Sequence, residues 1–144
     1  MKAYIDTSLL AAYYCPEAGS AAAEKALQAA EPAISWLGEV ELASAIGRKV
    51  REGGLSRADA TRIIDLFNLH MGEGYFQVLG LGSIHFRLAR ENLARFDSSL
   101  RSLDALHLAV AEAAGLPLLT CDEKMHAAAK NRGIPGKLIR ARKR

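Results

Sequence analysis

Two short apolar runs end directly in an acid: Tyr4-Ile5 passes into Asp6, and Leu118-Leu119-Thr120 passes into Cys121 and Asp122. Runs this short cross a core only as strands, and the longer segments between them carry helical spacing. The chain therefore predicts an α/β fold with a mostly parallel central sheet flanked by helices on both faces. In open sheets of this kind ligands bind in the crevice outside the carboxyl ends of the strands, where acids remote in sequence can meet. Glu41 and Asp104 are expected in the opening turns of apolar-periodic segments and would join Asp6 and Asp122 there. Carboxylates gathered without a counter-charge raise one another's pKa values, and a bound divalent cation resolves that repulsion. An all-oxygen donor set suits Mg2+ or Mn2+ rather than zinc.

Leu37, Val40, Ala43, Ile46 and Val50 recur at helical spacing, and Gly53-Gly54 stops that helix. Ser56, with Asp59 three residues on, has the form of an N-terminal cap. Ile63, Leu66, Phe67 and His70 or Met71 then continue one face of a second long helix, expected to pair with the first as an arm. Tyr75 to Leu79 reads as a strand or extended link, and Ser83 as the cap of a helix through Phe96. A helix from Leu103 to Ala114 stops at Gly115, and Leu118 to Thr120 is a short buried strand. Met125 to Arg132 is helical, and Lys137 to Arg140 reads as a last strand.

With 144 residues, half of them hydrophobic, the chain is long enough for one sizeable core and is expected to be a single domain over 1–144. No apolar run suits a signal peptide or a membrane span, and Cys15 and Cys121 lack a disulfide or zinc pattern, so a reduced cytoplasmic setting is the expectation. The formal charge is +3, yet Lys137, Arg140, Arg142, Lys143 and Arg144 exceed it by themselves. The basic character is thus a C-terminal tail from about 137, which could attract phosphates or simply be a solvated terminus.

Each acid taken singly has a plain alternative role, since a carboxylate at a helix N-terminus caps the helix and complements its dipole. The combination is more specific than its parts. Glu39, Asp59, Asp65, Asp97 and Glu123 are competing acids, most of which are expected to be solvated. Tyr4-Ile5-Asp6-Thr7-Ser8-Leu9-Leu10, Val40-Glu41-Leu42, Ser102 to Ala109 and Leu119-Thr120-Cys121-Asp122 resemble the successive motifs of PIN-domain ribonucleases, and most closely VapC-type toxins of bacterial toxin–antitoxin pairs. The resemblance runs from the first strand to about Gly133. It implies a PIN-like three-layer domain and a metal-dependent endoribonuclease. Asp6, Glu41, Asp104 and Asp122 would form its acidic metal site with Mg2+ or Mn2+, Glu41 binding directly or through water. Thr7 or Ser8 would be the hydroxyl neighbour. It also implies an RNA substrate, a cognate antitoxin protein and a homodimer. Many relatives carry a lysine in the first helix where this chain has Ala12.

Metal-assisted hydrolysis of a phosphodiester requires no histidine. His107 lies one helical turn after Asp104 and His126 one turn after Asp122, so each could approach the site, although a His amid Ala and Leu is more often a packing residue. Arg48, Lys49 and Arg51 could line an RNA groove or complement a helix C-terminus. The apolar arm residues Ile63, Leu66 and Phe67 could serve a dimer or a partner helix, or the core. Three other roles compete with a toxin nuclease: a housekeeping RNA-processing nuclease, a catalytically silent PIN-like scaffold binding RNA or protein, and a receiver-type phosphoacceptor. The last lacks the acceptor Asp and strand-end Lys such a domain needs.

Overall fold

A computed structural model describes residues 1–141 of the chain. Its elements run β1 (Lys2–Ile5), α1 (Thr7–Tyr14), α2 (Ser20–Gln28), β2 (Glu31–Ser35), α3 (Trp36–Arg51) and α4 (Arg57–Gly72). There follow β3 (Gln77–Leu79), α5 (Ser83–Leu93), α6 (Ser102–Ala114), β4 (Leu118–Thr120), α7 (Glu123–Asn131) and β5 (Gly136–Leu138). The five strands form one sheet in the order β3-β2-β1-β4-β5, with every pairing parallel. All carboxyl ends therefore lie on one edge.

Successive strand residues point to opposite faces, and the two cores divide accordingly. Ala3, Ile5, Ile34 and Leu119 face a core built with α1 to α4, including Leu9, Leu10, Leu27, Leu42 and Phe67. Tyr4 and Leu118 face the other layer, where Leu108, Val110, Met125 and Ala129 of α6 and α7 cover them. Ala89 of α5 packs against Ala105, Leu106 and Ala109 of α6. A sheet buried on both faces explains why its inner strands read as continuous apolar runs.

Several boundaries differ from the sequence expectation. The α3 helix starts at Trp36, one residue before the expected Leu37 and capped by the Ser35 hydroxyl, so Glu41 lies in its second turn, within the opening turns expected of it. The Ser56 cap forms as expected, accepting the Asp59 N–H. Ser83 is not a cap: Gly82 precedes α5, and its N–H donates to His85 Nδ1. That helix ends at Leu93, because Phe96 adopts the left-handed φ of 56°. Gly115, at φ 66°, closes α6 where a side chain would be strained. The arm is real but only partly apolar outward, since Phe67 is buried, Ile63 packs on the core and Leu66 is exposed.

The expected basic tail is not a tail at its start. Lys137 belongs to β5, Ile139 is buried, and Arg140 pairs with Glu123 at 3.4 Å. Arg142, Lys143 and Arg144 lie outside the described residues. Among the described residues no helix is long and apolar enough to cross a membrane.

Candidate active site

Asp6 leaves β1 and Asp122 follows β4, and these neighbouring parallel strands, in register at Ile5 and Leu119, deliver both acids to the same edge. Each is also a cap. Asp6 Oδ1 accepts the Leu9 N–H at the start of α1, and Asp122 Oδ1 accepts from Lys124 and Met125 at the start of α7. Capping and site formation are the same event here, because the strand end is the helix beginning.

Thr120 ties the two acids together. Its hydroxyl donates to Asp6 Oδ2 at 2.5 Å and accepts the Asp122 N–H at 2.9 Å. Ser8 supports the other Asp6 oxygen, donating to Oδ1 at 2.7 Å while accepting the Cys121 N–H. Burial raises the Asp6 carboxyl above its usual pKa, and the Thr120 and Ser8 hydroxyls, His107 and the Leu9 N–H only partly offset it.

Glu41 and Asp104 arrive from helices on the two sides of the sheet. Thr7 donates to Glu41 Oε1 at 2.8 Å, and His107 Nε2 contacts the same oxygen. Burial alone would raise the Glu41 pKa, but its contact with His107 and the Thr7 hydroxyl carry it below its usual value. Asp104 sits in the first turn of α6, half-buried, and its carboxyl is raised. Desolvation is the main cause. The Arg101 backbone and His107 oppose it, while Asp122 and Glu41 stand near enough to add repulsion.

The structure thus brings Asp6, Glu41, Asp104 and Asp122 to one edge. Among the described residues, however, no three His, Cys, Asp or Glu side chains are drawn together tightly enough to form a metal's ligand set. The donor chemistry nevertheless fits Mg2+ or Mn2+: all four candidate residues offer hard carboxylate oxygens. Two of the acids have pKa values raised by burial and, for Asp104, by like charge, and a cation would relieve both. The hydrogen bonds of Glu41 and Asp122 among the described residues each reach one oxygen, Oε1 and Oδ1.

The remaining expected residues separate. Thr7 and Ser8 sit at the site, with their hydroxyl protons directed to Glu41 and Asp6. Arg48 is exposed in the last turn of α3, two turns beyond Glu41 on the same face. Lys49 pairs with Glu17 at 3.3 Å. His126 rests against Gly136 of β5, away from the acids. Ala12 is buried in the core, so that position does not face the site. Cys121, beside the acids, is a free thiol pushed up to about 11, mainly by burial and further by Asp6.

Sequence reasoning did not find Thr120 or Tyr4. Thr120 ended an apolar run and read as strand. The Tyr4 hydroxyl, fully buried, reaches Ser35 Oγ at 2.8 Å and His107 Nδ1 at 2.5 Å, contacts that no local spacing announces.

The PIN domain family model matches residues 3–131. Among solved structures, VapC20 of Mycobacterium tuberculosis, described as a sarcin–ricin loop cleaving toxin, is similar with a TM-score of 0.69 at 20% identity, over 88% of this chain and 95% of that one. A toxin–antitoxin complex from Klebsiella pneumoniae gives 0.62 at 21% identity, over 88% and 91%. VapBC2 from Rickettsia felis, bound to a promoter DNA fragment, gives 0.68 at 14% identity, over 97% and 100%. At these identities the likeness shows the fold. No curated protein matches the chain.

Proposed function

From the finding that this chain belongs to the PIN domain family, a family of nucleases, we propose that it is a metal-dependent endoribonuclease hydrolysing RNA phosphodiester bonds, and the toxin of a toxin–antitoxin pair. The observation that carries this reading is the Thr120 junction, which holds Asp6 and Asp122 side by side at the carboxyl edge, with Asp104 close enough to feel Asp122 and Glu41.

Asp6, Asp104 and Asp122 would hold Mg2+ or Mn2+, with Glu41 binding directly or through water. A divalent ion bound there would activate water near neutral pH and neutralise charge on the phosphate. The chain's own residues then do the positioning. Thr120 and Ser8 fix both oxygens of Asp6, and Thr7 and His107 fix one oxygen of Glu41. The helices α1, α6 and α7 begin beside the acids, and their N-terminal partial charges favour anions, whether carboxylate or phosphate. Arg48 would meet the RNA backbone.

The toxin role adds a cognate antitoxin, a homodimer and a cytoplasmic setting. Leu66 and Leu69 on the outer side of α4 are exposed and suit an apolar partner helix. Trp36 and Val40 on α3, with Ile84 and Phe86 on α5, are exposed apolar side chains suited to a second copy. An antitoxin would also supply an Arg or Lys to the acids near Asp6 and Asp122, by charge complementarity.

The test is cleavage of RNA by the purified chain with Mg2+ or Mn2+ and with excess EDTA. Asp6→Asn and Asp104→Asn should each abolish cleavage with native circular dichroism. Full activity in EDTA, or in both variants, would leave the protein as a fold without this mechanism. Cleavage without growth arrest in cells lacking the neighbouring antitoxin gene would favour a housekeeping nuclease.

A further inference from the structure

We infer that Tyr4 and His107 are positioning residues: a buried, one-directional chain of hydrogen bonds from the α3 N-cap through both side chains clamps Glu41 Oε1 and leaves Oε2 as the oxygen offered to the site. The inference rests on the nuclease reading for its purpose, though not for its geometry.

The chain runs Gly38 N–H to Ser35 Oγ, Ser35 Oγ with Tyr4 Oη at 2.8 Å, Tyr4 Oη with His107 Nδ1 at 2.5 Å, and His107 Nε2 with Glu41 Oε1. Its direction follows from its two ends. Thr7 donates its hydroxyl proton to Glu41 Oε1, so that oxygen accepts, and Nε2, its other partner, must carry the proton. Thr7 spends its own proton on the same oxygen and stands 3.1 Å from Nε2 as a second acceptor. With that proton on Nε2 alone, Nδ1 accepts, which requires Tyr4 to donate to it. Ser35 in turn donates to Tyr4, and its remaining lone pair takes the Gly38 N–H. Every donor points toward Glu41.

Packing alone does not demand this arrangement. Tyr4 and His107 are 0% and 2% exposed, and a Phe and a Leu would fill the same space without buried polar atoms to satisfy. The chain begins at the cap of α3 and ends on a side chain of that helix, so it fixes Glu41 from two directions: through its own backbone, and through the sheet floor and α6. Two donors on Oε1 restrict the carboxylate's rotation. A floating Glu would instead present either oxygen and lose orientation on meeting an ion.

The test begins with the metal-free parent, using long-range 1H–15N correlation of the His107 ring at about pH 8, where an ordinary histidine is neutral. The expected result is the Nε2–H tautomer. Tyr4→Phe, which keeps the ring and removes only the donor to Nδ1, should keep the Nε2–H tautomer that Glu41 sets but weaken Mn2+ binding by calorimetry. Its RNA cleavage should fall about tenfold in kcat with KM little changed, the size of one well-placed hydrogen bond. A Nδ1–H tautomer in the parent overturns the chain of donors, whether or not the variant folds. A Tyr4→Phe protein that binds Mn2+ and cleaves like the parent overturns the positioning role. If the parent cleaves no RNA at all, the nuclease reading falls, while the tautomer and Mn2+ measurements still decide the clamp.

Discussion

The Thr120 hydroxyl donates to the Asp6 carboxylate across 114 positions of sequence, from the end of one strand to the end of its neighbour. The same oxygen accepts the Asp122 N–H, so one fully buried side chain sets the spacing of two candidate metal ligands. Thr120→Val keeps the shape and removes both bonds. It should cost about 1–3 kcal/mol of stability in urea unfolding, because it leaves buried polar groups unsatisfied. Thr120→Ser should recover most of that loss. Equal midpoints for all three proteins would show that the hydroxyl holds nothing.

The raised carboxyls give the metal-free protein an unusual pH response. Asp6 and Asp104 have folded pKa values above their unfolded 3.8, so the folded state binds protons more readily than the unfolded chain. Their contribution to stability therefore grows as pH falls from neutral toward the acid range above 3.8, and is lost as pH rises through the folded values. Glu41, lowered from 4.5, acts oppositely: its contribution is present above 4.5 and is lost as pH falls through its folded value. Melting in EDTA should accordingly rise on mild acidification before it falls. With saturating Mg2+ the rise should shrink, since a cation competes with the protons. A monotonic fall from neutral pH, identical with and without Mg2+, would contradict these assignments.

Arg48 is exposed and stands two helical turns beyond Glu41. Arg48→Ala should raise the KM for RNA severalfold with kcat nearly unchanged, and reduce the salt slope of RNA binding by about 1. An unchanged salt slope would return Arg48 to an ordinary helix C-terminus.

Asp6 and Asp122 were legible in the sequence because each interrupts an apolar run at the point where a buried strand must end. Asp104 was legible as an acid at a helix start. The strand β2 was not, since Pro32 lacks the N–H that a sheet uses and argues against a strand. Glu41 was legible as an acid in the opening turns of a helix whose start, Trp36, lies one residue before the expected Leu37. Tyr4 and His107 lie 103 residues apart, and their contact follows from the strand order and the pitch of α6 together, which local spacing does not contain. His107 therefore read as packing, which its burial supports, while its polar role needed the fold.

The central claim is that the four acids share one cation site, and a thermal-melt series at fixed ionic strength tests it most directly. Asp104→Asn and Asp122→Asn are the variants to compare, the second because Asn also caps a helix well. Both should melt at or above the temperature of the metal-free parent, since each removes a charge from a crowded edge. Mg2+ should stabilise the parent by about 2.7 kcal/mol at roughly 100 times its Kd, and either variant by clearly less. If both variants melt well below the metal-free parent and Mg2+ raises all three equally, these acids are helix caps and the shared metal site is wrong.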